Sequence, residues 1–161
     1  MRKISLLLAA GAGLSFAHTA SADDCDRVAA QLKQDRRTEI LGKLSSKGMI
    51  VAAHRFGGGM TILCGDESGT RTDLAVGVNS SSPSKEFLSF FADLARRVVG
   101  AEPNEVLEAA LRCRKNALGY KGNASGIFGD AVDTERLHID CRVDDKFTSF
   151  GVFSKSPQQA P

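Results

Sequence analysis

Cys25, Cys64, Cys113 and Cys141 are the four cysteines of this 161-residue chain, and all of them follow a leader-like N-terminus. Arg2 and Lys3 open that leader, an apolar run from Ile4 to Ala17 forms its middle, and Ala20-Ser21-Ala22 ends it before the acidic Asp23-Asp24. A basic start, a short apolar stretch and a small-residue site are the layout of a secretory signal peptide. The apolar stretch is about 14 residues, short of the ~20 that span a bilayer as a helix. The pattern predicts cleavage of residues 1–22 and a mature chain that starts at Asp23, in the periplasm or outside the cell. Cys25 lies three residues beyond the junction, a poor setting for lipidation. In such a compartment disulfides form and persist, so the cysteines constrain the fold directly.

Four cysteines allow three connectivities. None of them has the close spacing of a redox CxxC pair or a zinc knuckle. A faint internal repetition favours one pairing. Ile62-Leu63-Cys64, a charged turn and Leu74 to Val78 resemble Ile139-Asp140-Cys141, a charged turn and Phe150 to Phe153. Each half also has a cysteine upstream, in a predicted helix. The favoured pairs are therefore Cys25–Cys64 and Cys113–Cys141, each tying a helix to a strand.

The remaining 139 residues suffice for one domain with its own core. Without Arg2 and Lys3, 19 Lys and Arg face 19 Asp and Glu, a balanced count. No basic surplus is left to drive binding to nucleic acid or anionic lipid. No later apolar run reaches membrane-spanning length.

Periodicity predicts the elements. A first helix is expected from Cys25 to Ser46, ended by Lys47-Gly48, with a break conceivable in the polar stretch Lys33 to Glu39. Strands are expected over Met49 to Phe56, Met60 to Cys64 and Thr72 to Asn79, joined by turns too short for parallel crossovers. Ser82 and Pro83 then read as cap and first position of a helix. Phe87, Leu88, Phe91, Leu94, Ala95 and Val98 recur there at helical spacing and are expected to pack on the sheet. Gly100 stops it. Asn104 caps another helix, Glu105 to Leu118, with Leu107, Ala110, Leu111 and Leu118 on its buried side. Gly119 to Asp133 reads as a long glycine-containing loop. Strands over Leu137 to Val143 and Phe147 to Phe153 close the domain, and Ser156 to Pro161 reads as a disordered tail. The expected fold is α+β, in the order α-βββ-αα-ββ, with an antiparallel sheet of five or six strands covered by helices and locked by two disulfides.

Candidate chemistry is sparse. His54 and His138 are the histidines left after the leader. His138 shares a strand face with Asp140, because alternate side chains point the same way. Such a pair could orient an imidazole or, with His54, hold a metal. The competing reading is a solvated polar row of His138, Asp140 and Arg142. No Gly-x-Ser-x-Gly elbow occurs, and neither Ser68-Gly69 nor Ser125-Gly126 precedes a helix that would aim a nucleophile. The glycines from Gly122 to Gly129 lack the following helix that a phosphate cradle needs. One tyrosine and no tryptophan leave little to stack on a sugar.

Tyr120, Lys121, Ile127 and Phe128 sit in the predicted loop, where apolar and aromatic groups commonly engage a partner. The alternative is that Ile127 and Phe128 form one more buried strand. The leading expectation is a periplasmic or secreted, non-catalytic binding or accessory protein that contacts another protein, as an inhibitor, immunity or assembly factor does. It needs no cofactor. The alternatives are a small envelope hydrolase or metal-binding protein using His138 and Asp140, and a sensor with a ligand pocket under the Phe87-to-Val98 helix.

Overall fold

The computed structural model describes residues 20–44, 48–64, 72–121 and 126–155. Most of the expected leader, the turn around Asp66 and the expected tail lie outside the described residues. The elements in chain order are α1 (Ala20–Gln34), β1 (Thr38–Leu44), β2 (Met49–His54), β3 (Gly58–Cys64), β4 (Thr72–Val78), α2 (Lys85–Val99), α3 (Pro103–Lys121), β5 (Phe128–Asp133), β6 (Leu137–Val143) and β7 (Thr148–Ser154). The strands form a single sheet in the order β1-β2-β3-β4-β7-β6-β5, with every neighbouring pair antiparallel. The fold is therefore α+β, but the sheet has seven strands rather than five or six.

The first added strand comes from the predicted long helix, which stops at Gln34. Asp35 forces that stop. Its carboxylate accepts from the Arg37 backbone N–H at 3.0 Å and from the Arg37 guanidinium at 2.9 and 2.8 Å. Thr38 Oγ1 then donates to the Leu32 carbonyl at 2.7 Å, satisfying a helix-end acceptor. Arg97 of α2 also donates to Asp35, at 2.9 Å, so this turn is fixed to the central helix. The three guanidinium hydrogen bonds hold the Asp35 carboxyl well below the usual carboxylate range. The second added strand is β5, the further strand that is the alternative to a binding loop; it begins at Phe128 and leaves Ile127 outside it.

Two antiparallel meanders, β2-β3-β4 and β7-β6-β5, meet at the β4–β7 pair. Disulfides Cys25–Cys64 and Cys113–Cys141 pin α1 to β3 and α3 to β6, the pairing that the internal repetition favours. No cysteine is free. All three helices lie on one face of the sheet. There Ile50, Ile62, Leu74, Val152, Ile139 and Val132, adjacent across six strands, form a continuous buried row.

Helix α2 lies over the seam between the meanders. Its cap is Ser84 rather than Ser82: the Ser84 hydroxyl accepts from the Phe87 N–H at 3.2 Å. Gly100 ends it in the left-handed region at φ 70°. Every member of the predicted stripe, Phe87 through Val98, is buried. Full burial of each phenylalanine contributes on the order of 1.5–3 kcal/mol. The space beneath α2 is filled by Phe87, Phe90, Phe91 and Phe150, where a ligand pocket was considered.

Helix α3 starts at Pro103, whose missing N–H costs nothing in the first turn, and continues through Gly119 to Lys121. Its buried side is Val106, Ala109, Ala110, Cys113 and Ala117; Leu111 is exposed, contrary to the periodicity reading. No helix among the described residues is long and apolar enough to cross a membrane.

Candidate functional site

His54 ends β2 on the helix-covered face and is only 6% exposed. Its ring lies among Phe56, Phe87 and Phe90, with centroids 5.4–5.9 Å away. Nε2–H donates to the Gly77 carbonyl at 2.8 Å, while the buried Nδ1 has no hydrogen-bond partner among the described residues. Burial pushes the imidazole pKa below its ordinary value, against the smaller opposing pull of the Gly77 carbonyl. A neutral ring in this aromatic setting is a packing element, closed to a substrate.

His138 lies on the opposite face, on β6. Its register partner on β5 is Asp133, and Nδ1–H donates to that carboxylate at 3.0 Å. Lys155 approaches the same carboxylate at 2.9 Å, and the two contacts lower the Asp133 pKa. The His138 ring hydrogen-bonds Asp133 and not Asp140. The Asp140 carboxylate instead lies over Gly151, its partner on β7, close to where a Cβ would sit. Four strand spacings separate β2 from β6, about 19 Å, so His54 and His138 neither converge nor share a face. Among the described residues no three His, Cys, Asp or Glu side chains converge as a metal site.

The predicted binding loop is largely regular structure. Tyr120 and Lys121 belong to the last turn of α3, and Phe128 begins β5 half-buried. Residues 122–125 lie outside the described residues. Ile127 precedes the strand and is 72% exposed, and Tyr120 is 68% exposed. Two apolar groups are thus presented near this end of α3, on a segment much shorter than the expected loop.

A larger surface emerges from the strands themselves. Because side chains alternate, every strand sends half of them away from the helices. On β2 these are Met49, Val51 and Ala53; on β3, Gly59, Thr61 and Leu63. On β7 they are Ser149, Gly151 and Phe153. None of these nine positions carries a charge, although a quarter of the chain is Asp, Glu, Lys or Arg. A sheet face left to water ordinarily alternates apolar-in with polar-out. Charges on this face are Glu39 on β1, Asp73 on the central strand β4, His138, Asp140 and Arg142 on β6 and Asp133 on β5. Among the described residues no helix covers it.

The relief of the face is built from glycines. Gly58, paired with His54 and so on the helix-covered side, approaches the β4 backbone so closely that a Cβ would fall far inside contact with the Gly77 carbonyl. Phe147, just before β7, lies over Gly77 and occupies the space a side chain there would need. Beside it a hollow of about 340 Å³ is floored by Gly59, Thr61, Ala75 and Gly77 and bounded by Val51, Phe147 and Ser149. Leu63, 38% exposed, stands above the floor at the other end of β3. This surface was not singled out from the sequence. Its signal is the uncharged outward set on β2 and β3, which needs the sheet order before it becomes a surface.

No protein-family model, curated protein or solved structure matches the chain.

Proposed function

We propose that this is an exported, non-catalytic accessory protein that acts by binding another polypeptide on the outer face of its sheet. The reading rests most on one observation: nine outward positions of β2, β3 and β7 carry no charge. Met49, Val51 and Leu63 lie together on β2 and β3 on this uncovered face, bordered by Asp73 of β4, and apolar patches rimmed by polar groups mark interaction sites. Supporting it, Cys25–Cys64 and Cys113–Cys141 fasten the covering helices, so the sheet is held as a rigid platform. A preformed platform binds with little ordering cost. Tyr120 and Ile127 add a smaller, separate contact point. The leader-like N-terminus, Arg2 to Ala22, supports a partner in the envelope or outside the cell.

The test is site-specific photo-crosslinking in the native cells. A crosslinking side chain at Thr61, in the middle of the face, captures a polypeptide; one at Arg112, exposed on α3, does not. Equal labelling from both positions, or none from Thr61, removes the face as the site.

A further inference from the structure

We propose that the hollow between the end of α1, the approach to β1 and the last turn of α2 is a binding site for the carboxylate or phosphate group of a small molecule, gripped by the guanidinium groups of Arg36 and Arg97 beside a buried Asp35. The hollow measures about 450 Å³ and is lined by Gln31, Gln34, Asp35, Arg36, Arg37 and Arg97. A volume of that size suits a small-molecule ligand. All six lining side chains are polar, so the occupant is hydrophilic. None of them belongs to the outer face of the sheet.

Charge points to an anion. Beyond residue 22 the sequence balances 19 Lys and Arg against 19 Asp and Glu, yet this corner does not balance. Three guanidiniums face the Asp35 carboxylate, and the Asp93 carboxylate stands 3.7 Å from Arg37. Three cations and two carboxylates leave one positive charge, which a bound oxyanion neutralises. Carbonyls at a helix C-terminus repel anions. The Leu32 carbonyl at the end of α1 is already taken, by the Asp35 N–H at 3.0 Å and by Thr38 Oγ1 at 2.7 Å.

The guanidiniums are set in place by the fold. Asp35, whose side chain is 8% exposed, accepts from Arg37 Nε and Nη2 at 2.9 and 2.8 Å and from Arg97 Nη1 at 2.9 Å. Arg37 is also stacked over the Phe90 ring, 5.1 Å from its centroid. Arg97 keeps Nε and Nη2 without a partner among the described residues, and that fork is the one that grips an oxyanion through two parallel hydrogen bonds. Arg36 lines the hollow half-buried, yet its side chain has no ion pair or hydrogen bond among the described residues. Its charge is therefore available to a ligand.

Gln31 gives an independent sign. Its Oε1 is buried with no hydrogen-bond partner among the described residues. An unpaired buried polar atom is costly, and it calls for a ligand, an ion or a water to complete it. Whichever way the amide is turned, it offers one hydrogen bond beside the guanidiniums. The ligand accordingly carries a hydrogen-bonding group next to its oxyanion.

The experiment titrates the oxidised mature chain with inorganic phosphate and, separately, with citrate, at neutral pH and fixed ionic strength, and follows the backbone amides by NMR. Saturable shifts centred on residues 34–38 and Arg97 are expected with at least one probe. Saturation by phosphate alone identifies a phosphate-bearing ligand, and by citrate alone a carboxylate-bearing one. Arg36→Gln, which removes no contact of the fold, weakens the responding probe about tenfold. Arg112→Gln, exposed on α3, leaves it unchanged. The absence of saturable shifts at these residues with either probe, up to roughly 50 mM, overturns the site. Unchanged affinity in Arg36→Gln, or an equal loss in both variants, overturns it as well. Neither result bears on the outer face, which the crosslink at Thr61 tests separately.

Discussion

Removing the Cys113–Cys141 bridge is the most informative perturbation of the fold. The bridge closes a sequence separation of 28 residues, and Cys25–Cys64 one of 39. On the chain-entropy relation, loops of these sizes contribute about 3.6 and 3.9 kcal/mol through the unfolded state. All four cysteines are also buried at 2% exposure or less, so replacement by alanine adds a packing loss of about 1 kcal/mol. Both bridges together are worth about 7 kcal/mol, set against a net stability of about 5–15 kcal/mol for an ordinary domain. The double variant Cys113→Ala/Cys141→Ala should therefore remain folded but move its urea midpoint down by roughly 2–2.5 M, for an m-value near 2 kcal/mol/M. Cys25→Ala/Cys64→Ala should fall by a similar or slightly larger step, and the four-alanine chain should be largely unfolded at 37 °C. Equilibrium urea unfolding followed by far-UV circular dichroism reads all three. A midpoint shift under about 0.5 M for either pair would refute the argument that these bridges constrain long loops of an otherwise open chain.

Other outcomes follow from the same structure. Gly58→Ala should destabilise by about 1–3 kcal/mol, since the new methyl meets the Gly77 backbone; Gly42→Ala, with open space around it, should be neutral or stabilising by about 0.4–1 kcal/mol in the same urea titration. His54 has its pKa lowered in the folded state by burial, so the unfolded chain takes up its proton first. Stability should therefore fall as pH drops through the ordinary imidazole value near 6.5, and His54→Gln should flatten that slope; an unchanged slope would place the proton uptake elsewhere. Asp35→Ala, which strips Arg37 and Arg97 of their shared acceptor, should cost about 2–3 kcal/mol at neutral pH. Because the folded Asp35 carboxyl is held well below its usual range, that cost should shrink as pH falls below about 4, where the unfolded chain takes up a proton that the folded carboxylate resists.

Where the fold was readable from residues, one physical pattern dominated. Helix α2 announces itself because Phe87, Leu88, Phe91, Leu94, Ala95 and Val98 satisfy one period without interruption. The disulfide pairing was readable because each meander repeats a helical cysteine before a strand cysteine. Strand β1 was not. Its bulge at Leu41 breaks the two-residue alternation, so Ile40, Leu41 and Leu44 fall at a spacing that imitates a helix. The turn that ends α1 rests on Asp35, Arg37 and Thr38 acting together with Arg97, sixty residues later in the chain. Strand β5 contains Gly129, Asp130 and Ala131, all poor strand formers, and is specified by pairing with β6 rather than by its own composition. The cap of α2 moved from Ser82 to Ser84, within the ordinary uncertainty of a serine-rich approach.

The candidate sites divide in the same way. His138 shares its strand face with Asp140 and Arg142, as alternation dictates, but its hydrogen-bond partner Asp133 comes from the neighbouring strand β5, whose own composition is a poor strand signal. His54 was visible as a histidine near a strand end; its aromatic surroundings depend on α2 crossing that strand. The outer face needed sheet order most of all. Met49, Val51 and Ala53 alternate with Ile50, Ala52 and His54, so β2 presents apolar groups on both sides. A strand apolar on both sides reads as buried on both sides. Only the position of the helices reveals that one side is left open.

Export, oxidation of the four cysteines and use of the outer face beyond the cytoplasm stand or fall together. Intact-mass spectrometry of the protein isolated from its own cells, with and without reduction and alkylation, tests this most directly. The prediction is a chain beginning at Asp23 that takes up alkyl groups only after reduction of the two bridges. A chain that retains Met1 and is alkylated at four cysteines without reductant would contradict it.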